Sequence, residues 1–162
     1  MRLALISDIH GNAVALRAVL ADIERVGVDE VICLGDVATL GATPAAAVDI
    51  VRDLGCRCIM GNHDEFRIDA ALIHTYTESP EVVAGVDWAR EQLDSHHLDF
   101  LGTFEPTIEL EMDIKAVLFH GSPHSHMDDI RATTSAEDID HLLGDYDADL
   151  MAGGHTHVQM LR

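Results

Sequence analysis

Short apolar runs, each cut off by a glycine, aspartate or histidine motif, constrain this chain more than any other feature. Leu3-Ala4-Leu5-Ile6 is continuous and apolar, as in a strand buried on both faces, and it stops just before Asp8. Leu16, Val19, Leu20, Ile23 and Val26 then recur at helical spacing up to Gly27, the pattern of an amphipathic helix with a glycine end. Val31-Ile32-Cys33-Leu34 is a second buried strand, halted by Gly35-Asp36. Thr43-Pro44 reads as an N-cap followed by proline at the first helical position, opening a helix with Val48, Ile50, Val51 and Leu54 that ends at Gly55. A third strand over Cys56–Met60 runs into Gly61-Asn62-His63-Asp64. The order β-α-β-α-β predicts a parallel sheet with right-handed crossovers.

Beyond this unit the pattern changes twice. Residues 65–104 read as mostly helical, with Pro80 opening a helix through Val83, Val86, Trp88 and Leu93, and with Leu98, Phe100 and Leu101 packing beneath it. Ile108, Leu110 and Met112 then alternate with Glu109 and Glu111, the period of a strand with one buried face. Asp113 turns that strand into Ala116-Val117-Leu118-Phe119, which predicts a hairpin. Thr134 to Glu137 matches a capping box for a helix through Ile139, Leu142 and Leu143. Asp149–Ala152 is a last strand, ending in Gly153-Gly154-His155-Thr156-His157. At 162 residues, with no internal repeat or linker, the expectation is a single domain over 1–162.

Charge narrows the partners. With 29 acidic residues against 10 basic ones and a formal charge of −19, the chain repels polyanions at long range, so duplex nucleic acid is a poor partner. The acids are scattered, which fits a solvated acidic surface and is compatible with a high-salt habitat. Bound divalent cations would reverse the field locally and let a phosphate dock. Cys33, Cys56 and Cys58 read as reduced thiols in strands. No apolar stretch approaches the ~20 residues of a membrane helix, and Met1-Arg2 leads straight into a strand without a signal-peptide pattern, so a cytoplasmic location is expected.

Chemistry gathers at the strand ends. Asp8 and His10 follow the first strand, Asp36 the second, and Asn62 and His63 the third; His120 follows the hairpin, and His155 and His157 the last strand. In open α/β sheets, ligands bind beyond the carboxyl ends of the strands, so separate segments deliver metal-type side chains to one rim. Asp8-x-His10 and His155-x-His157 place paired ligands on one face of an extended segment. A mixed oxygen and nitrogen donor set without cysteine suits Mn, Fe, Co, Ni or a catalytic Zn better than a structural zinc. Seven donors suit two ions with a shared carboxylate; such a pair, ~3.5–4 Å apart, acidifies water and clamps an in-line displacement at phosphorus.

Taken in order, Asp8-x-His10, Gly35-Asp36, Gly61-Asn62-His63-Asp64, His120-Gly121 and Gly154-His155-x-His157 resemble the signature of the calcineurin-like metallophosphoesterases, above all the compact bacterial and archaeal phosphodiesterases. The resemblance implies an α/β sandwich of two β-sheets flanked by helices. It also implies that Asp8, His10 and His157 hold one divalent ion, that Asn62, His120 and His155 hold the other, and that Asp36 bridges them, with manganese the leading candidate. A hydroxide between the ions would attack a phosphate ester, a phosphodiester by preference. His63 would assist the leaving group and Asp64 would orient His63. Asn62, His63 and Arg67 would contact the substrate, a small phosphorylated molecule. Family members normally continue past the last histidine motif with further strands, so the second sheet is expected to be incomplete here or closed differently, and a homo-oligomer is compatible with that.

Other readings remain beside these. Arg131 is a further candidate cation for phosphate. His124 and His126 read as loop residues, and His74, His96, His97 and His141 as surface positions on or near helices. Ser122 lacks the Gly-x-Ser-x-Gly elbow of a serine nucleophile. A non-catalytic protein-binding scaffold on the same fold is the alternative from another functional class, although relatives of that kind have eroded ligand sets.

Overall fold

The computed structural model describes residues 1–144 and 146–162. β1 (Leu3–Ile6), β2 (Glu30–Cys33) and β3 (Arg57–Cys58) form a three-stranded parallel sheet in that order. Leu3 lies opposite Glu30, Ile6 opposite Cys33, and Cys33 opposite Cys58. The crossovers are α1 (Ala13–Val26) and α2 (Pro44–Leu54). Asn12 caps α1 by accepting the Ala15 N–H at 3.0 Å, and Gly27 closes it. Thr43 occupies the N-cap of α2 but gives its hydroxyl elsewhere: Oγ1 donates to the Gly11 carbonyl at 2.7 Å and accepts from Ala13 N at 3.3 Å. One side chain thereby ties the starts of both crossover helices together.

The third strand is shorter than the Cys56–Met60 expected from the sequence. Ile59 still donates its N–H to the Cys33 carbonyl of β2 at 2.8 Å, and on the other side of the strand Glu105 bridges Ile59 in parallel and accepts the Met60 N–H at 2.8 Å. The helical stretch resolves into α3 (Asn62–Ile68), a 3₁₀ turn (Ala70–Leu72), α4 (Ile73–Tyr76), α5 (Pro80–Glu91) and α6 (Ser95–Leu101). In the second sheet, β4 (Ile108–Glu111) and β5 (Lys115–Leu118) make the expected hairpin, and β6 (Leu150–Ala152) adds in parallel beside β5. α7 (Ala136–Leu143) connects β5 to β6. Its cap is Ser135, whose hydroxyl accepts from Asp138 N at 3.1 Å. Thr134, expected in that role, accepts instead from Arg131 N at 2.9 Å, because the chain turns there before the helix begins.

Apolar burial holds these layers together. Ile6, Leu16, Cys33, Val48, Val51, Cys58 and Leu101 join the first sheet to α1, α2 and α6. Ile32, Leu34, Ile59, Ile108 and Leu118 fill the space between the two sheets. Phe66, Ile73 and Val86 make a third cluster under α3, α4 and α5. Each fully buried aliphatic or aromatic side chain contributes roughly 1.5–3 kcal/mol. The three cysteines are unbridged, as expected. His97 is buried, not superficial: it shares a capping box with Asp94 and lies 3.3 Å from Asp49 on α2. Among the described residues, no helix is long and apolar enough to cross a membrane.

Candidate metal centre

The strand-end loops hold one another by backbone hydrogen bonds. Asp8 N donates to the Gly35 carbonyl at 3.0 Å, His10 N to Asp36 O at 2.8 Å, and Gly154 N to His120 O at 2.9 Å. Asp8, His10, Asp36, His155 and His157 all have positive φ, between 47° and 69°. L-residues rarely take that conformation, and each costs on the order of 1–3 kcal/mol that the surrounding structure must offset. The strain falls where the chain reverses to aim these side chains inward. Glycine makes room at two points: a Cβ on Gly61 would collide with the Asp36 carboxylate, and one on Gly154 with Ser7 Oγ and Asp8 Oδ2.

Two donor groups result. Asp8, His10 and His157 form one, with His10 Nε2 2.9 Å from His157 Nε2 and His157 Nε2 3.3 Å from Asp8 Oδ1. Asp36, His120 and His155 form the other, joined by Asn62, whose Oδ1 lies 3.2 Å from His120 Nε2 and 3.1 Å from His155 Nδ1. Asp36 Oδ2 stands between the groups, 3.6 Å from His10 Nε2 and 3.3 Å from His120 Nε2. All seven residues singled out from the sequence are brought together.

The electrostatics fit divalent cations. Asp36 is 1 % exposed, and its ion-pair partners among the described residues are imidazoles, with no lysine or arginine. A buried carboxylate needs compensation; protonated His120 supplies it in the metal-free site, and a bound cation would take over that role. Burial, reinforced by His157, lowers the pKa of His10, and burial with His120 lowers that of His155, so both are neutral donors. Burial also opposes charge on His120, but the Asp36 carboxylate outweighs it and raises His120 to about 9. His120 and Asp36 already share a buried charge where a cation would sit. Tautomers agree: His120 Nδ1–H donates to the Leu34 carbonyl at 2.7 Å, which leaves Nε2 facing the donors. Asp129 Oδ1, 3.5 Å from His155 Nε2, leaves His155 Nδ1 facing Asn62.

His63 lies beside this centre, its ring 5.1 Å from that of His10, with Phe66 at 5.4 Å and Tyr76 at 5.9 Å. Its backbone N–H donates to Asp36 Oδ1 at 2.9 Å, while its buried Nδ1 has no partner among the described residues. Burial pushes His63 down to about 4. Asp64 does not orient it, contrary to expectation. The Asp64 carboxylate instead accepts the N–H groups of Asp36 at 2.7 Å, Val37 at 2.9 Å and Gly61 at 3.2 Å. Burial and neighbouring Asp36 raise Asp64 to about 7, against the pull of those donors. Arg67 also departs from expectation. It is fully buried, bonded through Nη1 to the Val86 carbonyl, and does not line the cavity, because α5 packs over the side of α3 that carries it.

A cavity of about 290 Å³ opens over His10, Asp36, His63 and His155. Arg131 lines it, as do Leu40, Tyr76, Met127 and Asp129, which the sequence did not point to. They come from loops and a helix end with no fixed spacing from the ligand motifs.

Comparison with known proteins agrees with this geometry. The family model described as calcineurin-like phosphoesterase matches residues 1–159. The uncharacterized protein MJ0912 of Methanocaldococcus jannaschii is 31% identical over 158 residues, which is 96% of this chain and 62% of that protein. A metallophosphoesterase crystal structure from Sphaerobacter thermophilus superposes with a TM-score of 0.77 at 31% identity, covering 98% of this chain and 61% of the other. The symmetrical bis(5'-nucleosyl)-tetraphosphatase of Hamiltonella defensa is 26% identical over 149 residues, 84% of this chain and 50% of its own length. The chain thus spans half to three fifths of the length of these relatives.

Proposed function

The chain belongs to the calcineurin-like phosphoesterase family, and from that premise we propose that it hydrolyses a small phosphate ester, a diester by preference, with two divalent cations. Asp8, His10 and His157 would hold one cation and Asn62, His120 and His155 the other, with Asp36 shared; manganese is the first metal to test. The observation that carries this reading is the position of the Asp36 carboxylate, within 3.6 Å of imidazoles from both donor groups. When bound, such a pair supplies Lewis acidity toward a phosphoryl group and acidifies water at neutral pH. Diester preference rests on the likeness to compact phosphodiesterases. The name of the Hamiltonella defensa relative, a tetraphosphatase, is in keeping with a phosphate-containing substrate.

The chain's own residues have separable tasks. His63 faces the same cavity as the donor groups and serves the departing oxygen. Uncharged at neutral pH, it first offers a hydrogen bond, and the negative charge of an arriving phosphate raises its proton affinity. Asp64 holds the Asp36 loop, and Asp129 holds the His155 ring. Of the two arginines expected to contact phosphate, Arg131 lines the cavity and takes that role.

The test is Mn²⁺-supported hydrolysis of bis-p-nitrophenyl phosphate and p-nitrophenyl phosphate. Wild type should turn over at least one of them, Asp36→Asn should abolish turnover, and His63→Ala should lower kcat by roughly 10²–10⁴-fold. Undiminished turnover by Asp36→Asn would overturn the assignment.

A further inference from the structure

Resting on that phosphoesterase reading, we propose that Leu40, Tyr76 and Met127 form a leaving-group subsite that selects esters of flat aromatic alcohols. Leu40 lies four residues beyond Asp36, at φ +67° and 52 % exposed. A bulky residue in the left-handed region is an outlier, and such strain is retained where a site requires it. Here it turns an apolar side chain out of the loop and toward α5, where a Cβ on Gly85 would lie 3.8 Å from Leu40 Cδ2. The result is an apolar flank to the cavity, beside the carboxylate shared by the donor groups.

Tyr76 supplies a second, independent element. It ends α4, and its ring sits 5.9 Å from His63, 5.8 Å from Phe66 and 6.4 Å from His155. One side of the ring is thus packed, yet Tyr76 stays 45 % exposed and lines the cavity. Because it adjoins His63, the residue assigned to the leaving group, its open face meets whatever departs. Met127, packed on the Phe66 cluster, extends the apolar wall with a polarizable side chain suited to an aromatic edge. The rest of the lining is polar, formed by the donor residues, His63 and the pair Asp129 and Arg131 at 2.5 Å, so Leu40, Tyr76 and Met127 are its apolar part. An aromatic group gains from stacking on such a wall in a way that a short alkyl group cannot.

The experiment compares benzyl methyl phosphate with ethyl methyl phosphate, whose alkoxide leaving groups are of similar basicity, on the Mn²⁺-loaded protein. In parallel, calorimetry compares benzylphosphonate with ethylphosphonate, which are not hydrolysed. Wild type should favour the benzyl member about tenfold, in kcat/KM and in affinity. Tyr76→Phe should keep the preference, and Tyr76→Ala and Leu40→Gly should each reduce it to about twofold or less. Leu40→Gly should melt no lower than wild type, since glycine adopts positive φ freely, so the test survives even if Tyr76→Ala misfolds. Equal handling of both members by wild type, or a preference that survives Leu40→Gly and Tyr76→Ala, would overturn the proposal. If neither these esters nor the nitrophenyl esters are hydrolysed but benzylphosphonate still binds about tenfold tighter, the subsite stands and the phosphoesterase reading fails.

Discussion

Asp64 grips the Asp36 loop: its carboxylate accepts the Asp36 backbone N–H at 2.7 Å and, through its other oxygen, that of Val37 at 2.9 Å. The residue that follows His63 therefore positions the carboxylate shared by the two donor groups, and a metal-affinity effect should follow. Asp64→Ala should weaken Mn²⁺ binding by roughly 10–100-fold in a calorimetric titration. His63→Ala should leave that affinity nearly intact. Equal affinities in wild type and Asp64→Ala would remove this role.

Asp129 should act on one donor group only. Its Oδ1 lies 3.5 Å from His155 Nε2, and its other oxygen pairs with Arg131 at 2.5 Å. Asp129→Ala frees the His155 ring to rotate. The expected outcome is biphasic metal binding, with one step unchanged and the other reduced about tenfold. A uniform loss in both steps would contradict a role confined to His155.

The acid sensitivity of the metal-free protein should depend on His63. Burial holds this imidazole near 4 in the folded state, against an ordinary 6.5. Its stabilising contribution is fully present above pH 6.5 and is lost as pH falls through about 4, because the unfolded chain takes up the proton first. Urea denaturation with chelator present should show His63→Asn losing less stability than wild type between pH 6.5 and 4, by about 3 kcal/mol at most. His120, raised to about 9, acts with the opposite sign: its contribution is present below pH 6.5 and is lost as pH rises through about 9. Parallel pH profiles for the two proteins across the acidic window would contradict the assignment.

Strand ends were readable in the sequence because a buried strand is a short apolar run, and a glycine, aspartate or histidine stops it visibly. That is why Asp8, His10, Asp36, Asn62, His120, His155 and His157 could be set on one rim before any coordinates. Backbone detail was less legible. Pairing of β3 with β2 ends at the Ile59 N–H, and the next partner of Ile59 and Met60 is Glu105, too far along the chain to leave a local signal. The fate of Arg67 depends on α5 packing across α3, which leaves no local signal in a charged residue flanked by Phe66 and Ile68. Asp64 departs from expectation for a related reason: its neighbour in sequence is His63, but its partners are backbone N–H groups in a loop about 28 residues earlier. Capping at Ser135 rather than Thr134 turned on a single hydroxyl choosing Arg131 N.

Packing between the sheets should dominate stability. Leu118 is fully buried among Ile32, Leu34, Ile59 and Ile108. Leu118→Ala should cost about 2–5 kcal/mol by urea denaturation, the transfer of the lost methyl groups plus the cavity they leave. Leu161→Ala, at a side chain 96 % exposed, should change stability by about 0.5 kcal/mol or less. Comparable losses from both would mean that the inter-sheet layer is not the core.

Whether two cations share Asp36 is the point on which the whole functional account turns. Anomalous diffraction from crystals of the protein saturated with Mn²⁺ reads this directly. The expected map has two peaks, one among Asp8, His10 and His157 and the other among Asn62, His120 and His155, with an Asp36 oxygen between them. A single peak, or none at these side chains, would contradict the account.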